Sequence, residues 1–310
     1  MSYPLASPQS GRVHEYGHNL TAFEFETNPE EAAPNVLLFV AGLTNGLMNV
    51  PYLVPLSKKI SAIDSKYGKW VLVQALISSS YEGFGTSSLK KDANELSTLV
   101  KYLRSETGGK RKKVVLMGHS TGCQDTMQYL TKKSYEGSFE SAMVLNGGIL
   151  QAPVSDSEAA AAFLGDSLQE ILKEVYDDYI SKGKQDHILP EKFRKYSLGA
   201  PITAYRLYSL LSTRGDDDYF SSYLTQEDFK SSFGKVNVPL LVLYGSKDET
   251  VPDFVDREKL VKLWQNATSK QYWSPLSKVL KGATHNVGPG SDKDTLSDLT
   301  NTVALFIESL

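Results

Sequence analysis

Val114 to Asp125 reads VVLMGHSTGCQD, an apolar, β-branched run that passes without a spacer into Gly118-His119-Ser120-Thr121-Gly122. The pattern G-x-S-x-G is short enough to arise by chance, and a serine between glycines is first of all a turn residue. Its context decides. A strand leading in and a helix leading out would make it a strained elbow that lifts the serine hydroxyl above a sheet. The run before it has strand character, and "CQDTMQYLTKK", residues 123–133, predicts the helix after it.

Working outward, "LTAFEFE" from Leu20 alternates like an edge strand, and "NVLLFVAG" from Asn35 is the solid apolar run of a buried one. Between it and the next apolar strand, "KWVLVQAL" at 69–76, Leu53, Leu56, Ile60 and Ile63 of "VPYLVPLSKKISAID" fall at helical spacing. Ser87 and Ser88 offer a cap to a helix whose apolar face is Leu89, Ala93, Leu96, Val100 and Leu103, ending at Gly108-Gly109. After the elbow helix, "SAMVLNGG" at 141–148 predicts another buried strand. Strand-helix alternation of this kind predicts an α/β fold with a doubly wound, mostly parallel sheet.

The rhythm breaks after Gly148. From Gln151 to about Lys230 the patterns are helical, as in "SLQEILKEVYDDYI" and "PITAYRLYSLLS", and separated by polar loops. Alternation resumes with "VPLLVLYG" at 238–245, the helix "FVDREKLVKLWQNA", the short strand "KVLKG" and the terminal helix "DTLSDLTNTVALFIESL". The expected division is a core of residues 1–150 and 231–310 interrupted by a helical cap or lid, 151–230. "KRKK" at Lys110–Lys113 reads as the solvated entry to a strand, and "GDDDY" at Gly215–Tyr219 as a polar loop.

Composition narrows the function classes. A chain of 310 residues that is 41% hydrophobic and 22% charged is ordinary for a globular protein with one large core. Its net charge of -3, from 33 basic and 36 acidic residues, offers no basic field to nucleic acid. No apolar run spans a bilayer, the N-terminal stretch lacks secretory features, and the single cysteine, Cys123, forms no intrachain disulfide; a cytoplasmic protein is expected. Without H-E-x-x-H, a cysteine pair, a Walker A loop or G-x-G-x-x-G, no metal or cofactor is expected. The composition leaves the oligomeric state open.

In open α/β sheets chemistry gathers beyond the carboxyl ends of the strands. Three strand ends supply a set: Ser120, then Asp248 in "GSKDETVP" after "VPLLVLYG", then His285 in "GATHN" after "KVLKG". A serine hydroxyl needs a base to take its proton, and an imidazole needs an acid on its other nitrogen to fix its tautomer. Glu249 rivals Asp248 for that acid. An oxyanion needs two preorganised donors, and Thr121 N–H and Leu43 N–H, the latter in "FVAGLTNG", are the candidates. Gly118 and Gly122 permit the elbow's crowding, while Gly42, Asn45 and Gln151 are candidates to touch substrate. Asn45 also fits as a turn residue, and Ser155 or Asp156 as a helix cap.

"GHSTGCQD", "SSSYEGFGTSSLKKD", "AGLTNGL" and "QAPVSDSEA" together resemble the DUF1749 or UPF0613 family of α/β-hydrolases, over nearly the whole chain. The Gln124-Asp125 tail and "QAPVSD" make the resemblance narrower than a generic triad. It implies an α/β-hydrolase fold with a cap, the elbow serine at Ser120 and its partners at Asp248 and His285. It also implies an ester hydrolase acting through an acyl-enzyme on a small-molecule ester, in a family that includes fungal siderophore esterases of the fusarinine C esterase type. Thioesterase or peptidase activity with the same machinery, and a non-catalytic binding protein on this fold, are the alternatives.

Overall fold

Strands buried on both faces sort their side chains by parity, and this sorting builds the two sides of the molecule. In the computed structural model, which describes residues 7–25, 33–63, 68–131 and 140–310, β3 (Asn35–Val40) sends Leu37 and Phe39 to one face and Val36, Leu38 and Val40 to the other. Helices α1 (Leu53–Ser61) and α9 (Thr295–Glu308) cover the first face with Leu53, Leu56, Val303 and Phe306. Helices α2 (Leu89–Arg104), α3 (Gly122–Thr131) and α8 (Arg257–Ala267) cover the second with Leu96, Val100, Met127 and Trp264. Each such aliphatic side chain, removed from water, contributes about 1.5–3 kcal/mol.

The remaining described strands are β1 (Gly11–Gly17), β2 (Leu20–Phe25), β4 (Trp70–Leu76), β5 (Lys113–His119), β6 (Gly147–Gln151), β7 (Leu240–Gly245) and β8 (Lys278–Leu280). They lie in the order β1-β2-β4-β3-β5-β6-β7-β8, antiparallel at β1-β2 and β2-β4 and parallel elsewhere. From β3 the chain steps to β4 on one side and then to β5 on the other. The winding therefore reverses between β3 and β5, which is where an open sheet leaves a crevice beyond its carboxyl ends. Among the strands that pair in parallel, five are followed by loops with a non-glycine residue at positive φ, at Thr44, Tyr81, Ser120, Ala152 and Val287.

Between β6 and β7 lie α4 (Asp156–Leu164), α5 (Ser167–Asp178), α6 (Ala204–Leu211) and α7 (Gln226–Ser232). The first three share a small core of their own, including Leu168, Val175, Phe193 and Leu207, seated on Phe84 from the turn after β4. Tyr219, Phe220, Leu224 and Phe229 instead pack with Trp264 and Tyr244 against the sheet. Among the described residues no helix is long and apolar enough to cross a membrane.

Several expectations need correction. β2 is not an edge: "GRVHEYG" forms β1 outside it, joined by a tight hairpin at His18-Asn19, with Asn19 at φ 59. That strand carries too little apolar alternation to show in the sequence. The strand expected at 141–148 starts late, because Ser141–Met143 is a 3₁₀ turn and β6 takes Gly147–Gln151. Helix α2 stops at Arg104, ahead of the glycine pair, which lies in the following turn. Arg111 of "KRKK" is buried and ion-paired with Glu24, so that entry is not simply solvated. Glu26, Asp64, Lys132 and Lys133, at the ends of expected elements, lie outside the described residues.

Candidate active site

The elbow forms because its neighbours leave no room for side chains. A Cβ on Gly118 would stand 2.1 Å from the Gly122 carbonyl oxygen, and one on Gly122 would stand 2.4 Å from that of Val40. β5 thus turns into α3 within three residues, and Ser120 is held at φ 54, a region a residue with a side chain rarely adopts. The Ser120 N–H donates to the Gln151 carbonyl at 3.1 Å, and the Cys123 N–H donates to the Ser120 carbonyl at 2.8 Å. Backbone on both sides fixes the serine at the strand end.

Asp248 and Glu249, the rival acids of the loop after β7, meet His285 at different points. His285 Nδ1 lies 2.8 Å from Asp248 Oδ2, whereas Glu249 Oε2 accepts from the His285 backbone N–H at 2.9 Å. The other Asp248 oxygen accepts from the Thr250 N–H at 3.0 Å and the Thr250 hydroxyl at 2.6 Å. Burial alone would push the Asp248 carboxyl up, but the hydrogen bonds from His285 and Thr250 hold it below its ordinary value. An ionised acid on Nδ1 places the ring proton there and leaves Nε2 with a lone pair.

The loop after β3 closes on the serine. A Cβ on Gly42 would stand 2.6 Å from Ser120 Cβ, so only glycine lets the loop approach. Among the described residues neither the Leu43 N–H nor the Thr121 N–H has a hydrogen-bond acceptor. Both residues line a cavity of about 10 Å³, with room for one water. Asn45 behaves as a turn residue, its side chain donating to the Leu43 carbonyl at 3.2 Å.

Gln151 is the clearest departure from expectation. It is wholly buried and its side chain is committed inside the protein, so it is not placed to touch substrate. Its Oε1 accepts from the Tyr52 hydroxyl at 2.8 Å and from His119 Nδ1 at 2.5 Å, and its Nε2 donates to the His285 carbonyl at 3.3 Å. His119 Nε2 sits 2.9 Å from the Asn286 carboxamide, and the rings of His119 and His285 lie 5.0 Å apart. Burial and the neighbouring His285 push His119 down to about 3, so it is neutral. Cys123 is buried, its thiol donating to the Gly118 and Gln151 carbonyls, and burial pushes it well above its usual range.

A second polar cluster lies on the other side of the small cavity, where Asp92, Asp125 and Arg206 face Gly42, Leu43 and Thr121. Arg206 of α6 pairs with Asp217 at 2.6 Å, and Asp92 accepts from the Ser79 and Ser87 hydroxyls at 2.6 and 2.7 Å. Burial pushes Asp92 up to about 6, and burial followed by the charge of Asp92 raises Asp125 well above the ordinary carboxyl value. Two buried carboxyls side by side do not both ionise readily, so they share a proton. At the start of α4, Ser155 is the cap, and Asp156 accepts from Gln124 Nε2 at 2.8 Å. Among the described residues no group of three or more His, Cys, Asp and Glu side chains is disposed to hold a metal ion. The sequence offered one clue to this cluster: Asp92 falls on the apolar stripe of α2, between Leu89 and Leu96.

The family described as "Protein of unknown function (DUF1749)" matches residues 1–308. The chain is 35% identical to the UPF0613 protein PB24D3.06c of Schizosaccharomyces pombe, over 98% of this chain and 99% of that one. It is 30% identical to the fusarinine C esterase sidJ of Aspergillus fumigatus, over 97% of this chain and 96% of that one. The solved structure of the siderophore hydrolase EstB from Aspergillus fumigatus superposes with a TM-score of 0.80 at 29% identity, covering 97% of this chain and 98% of that one. The strand order and these neighbours give the α/β-hydrolase fold.

Proposed function

The chain belongs to the DUF1749 family, and from that premise we propose that it is a serine-dependent carboxylic-ester hydrolase with Ser120 as nucleophile, His285 as base and Asp248 as the acid that orients the base. It is an ester-hydrolysing enzyme by its likeness to relatives named as esterases and to a siderophore hydrolase. The observation that carries the triad is the 2.8 Å contact of His285 Nδ1 with Asp248, on the loop facing a nucleophile elbow at φ 54.

In the proposed reaction His285 Nε2 takes the Ser120 hydroxyl proton as Oγ attacks the ester carbonyl, and Asp248 stabilises the imidazolium. The carbonyl π electrons move onto oxygen, which the Leu43 and Thr121 N–H groups receive. Collapse expels the alkoxy group with the proton from His285, leaving the acyl group on Ser120. Water, deprotonated by His285, then attacks that acyl group, and the acid and the free serine are regenerated.

The named relatives support a siderophore-type ester as substrate, and α4 to α6 form the cap that selects it. Tyr219 to Phe229 pack with the sheet, so we place the cap proper on the stretch before them. One cysteine, buried and free, supports a reducing compartment such as the cytoplasm. Fluorophosphonate treatment followed by intact-mass measurement tests the assignment. One adduct is expected on the wild-type chain and none on Ser120→Ala; an adduct that survives that substitution overturns it. A panel of short esters, thioesters, peptides and siderophore esters separates esterase from thioesterase or peptidase.

A further inference from the structure

We infer that Gln151 is a positioning residue that sets the separation between Ser120 and His285; the inference rests on the triad proposed above. His285 is held at three points. Asp248 holds its ring and Glu249 its N–H, both from the loop after β7, while the Gln151 side chain holds its carbonyl from the end of β6. The Ser120 N–H is held in turn by the Gln151 carbonyl. Gln151 is therefore in contact with both the nucleophile and the base, through its main chain to one and its side chain to the other.

The carboxamide cannot turn over. Oε1 receives two donors, Tyr52 Oη–H and His119 Nδ1–H, and the opposite orientation would set Oε1 against the His285 carbonyl oxygen. The other ring nitrogen of His119, Nε2, lies 2.9 Å from Asn286 Oδ1, so the residue after His285 is tied to the end of β5. The peptide joining His285 to Asn286 is thus gripped on both residues by the ends of β5 and β6. The residue after Gln151, Ala152, takes φ 52, which turns the chain away and leaves the side chain of Gln151 inside. Misplacing a base by about 1 Å costs on the order of 100-fold in rate.

The test uses the full chain, a short p-nitrophenyl ester and the fluorophosphonate probe. Gln151→Leu keeps the volume and removes every hydrogen bond of the side chain. Its expected effect is a fall of about 100-fold in kcat and in the labelling rate of Ser120, with KM within about threefold of wild type. Gln151→Glu keeps the acceptor for Tyr52 and His119 but has no donor for the His285 carbonyl until it is protonated. Its activity relative to wild type should therefore rise as the pH falls, a change in pH profile that a merely structural role would not produce. Tyr52→Phe, which removes one of two bonds to Oε1, should lower kcat only severalfold. If Gln151→Leu does not fold, the pH profile of Gln151→Glu and the labelling rate of Tyr52→Phe decide. Labelling and kcat of a folded Gln151→Leu within threefold of wild type, or a Gln151→Glu profile superposing on wild type, overturns the inference. When Ser120→Ala abolishes the adduct and the Gln151 variants are unaffected, the triad stands and the positioning role falls; an adduct on Ser120→Ala removes the triad itself.

Discussion

Two buried polar regions flank the elbow, and they are built on opposite principles. Around Gln151, Tyr52, His119 and Asn286 every group is neutral, and the ring of His119 stays so down to about pH 3. Across the small cavity, Arg206 faces Asp92, Asp125 and Asp217, a cluster with more acids than cations. Neutral hydrogen bonds give direction without field, so the first region can fix geometry at any working pH. Charges in a buried site give strong but titratable interactions, so the second ties α6 to the core in a way that depends on protonation.

The largest effect should come from removing the cation. Arg206→Leu leaves Asp217 and the acid pair uncompensated and is expected to destabilise the fold by about 3–5 kcal/mol in urea unfolding. Gln151→Leu strands the Tyr52 hydroxyl, the His119 N–H and the His285 carbonyl, and should cost about 1–3 kcal/mol. If the two variants cost the same, the contrast between the regions is wrong.

Acidity sharpens the contrast next. Asp92 carries a folded value of about 6 against 3.8 for the ordinary carboxyl, so the folded chain holds its proton longer than the unfolded chain does. Its contribution to stability is full below about pH 4, is lost as the pH rises to about 6, and is level above that. Asp92→Asn keeps a side-chain oxygen for Ser79 and Ser87 while removing the titration. The stability of wild type relative to Asp92→Asn should therefore fall across that window, whereas the cost of Gln151→Leu should be flat across it. A sloping cost for Gln151→Leu would show that a titrating group had been overlooked in the neutral region.

The smallest expected effect is at Asp125, whose carboxyl is held up first by burial and then by Asp92. Asp125→Asn replaces the shared proton by a permanently neutral partner. Asn keeps a neutral group beside Asp92, so at pH 8 the substitution should change stability by no more than about 1 kcal/mol in either direction. A loss of about 3 kcal/mol or more in thermal unfolding would mean that Asp125 is ionised and needed by Arg206.

The same contrast explains what could be read from the sequence. The parallel strands announced themselves because burial on both faces demands solid apolar runs, as in "NVLLFVAG" and "VPLLVLYG". The proposed triad of Ser120, Asp248 and His285 could be put forward from the sequence because a strand end marks each of them. The polar strand β1 escaped because its side chains are only partly covered, so no alternation had to be written into "GRVHEYG". Gln151 looked like a substrate contact because a polar residue at a strand end points equally to a pocket or to a buried network; only the positions of Tyr52, His119 and His285 distinguish them. Glu249 and Asp248, adjacent in sequence, differ in whether they meet the main chain or the ring of His285. The acid cluster draws on α2, α3, α6 and the loop before Tyr219, and no local pattern links residues so far apart.

The lone thiol of Cys123 turns the elbow into its own clock. Buried beside Ser120 and hydrogen-bonded to two carbonyls, it is expected to be silent to alkylating reagents while the elbow is shut. With no other cysteine in the chain to add background, the rate at which a maleimide adds mass under native conditions should be slow and should count how often this turn opens. The protein thus carries a built-in measure of the local breathing that any nucleophile held at a strained angle must resist.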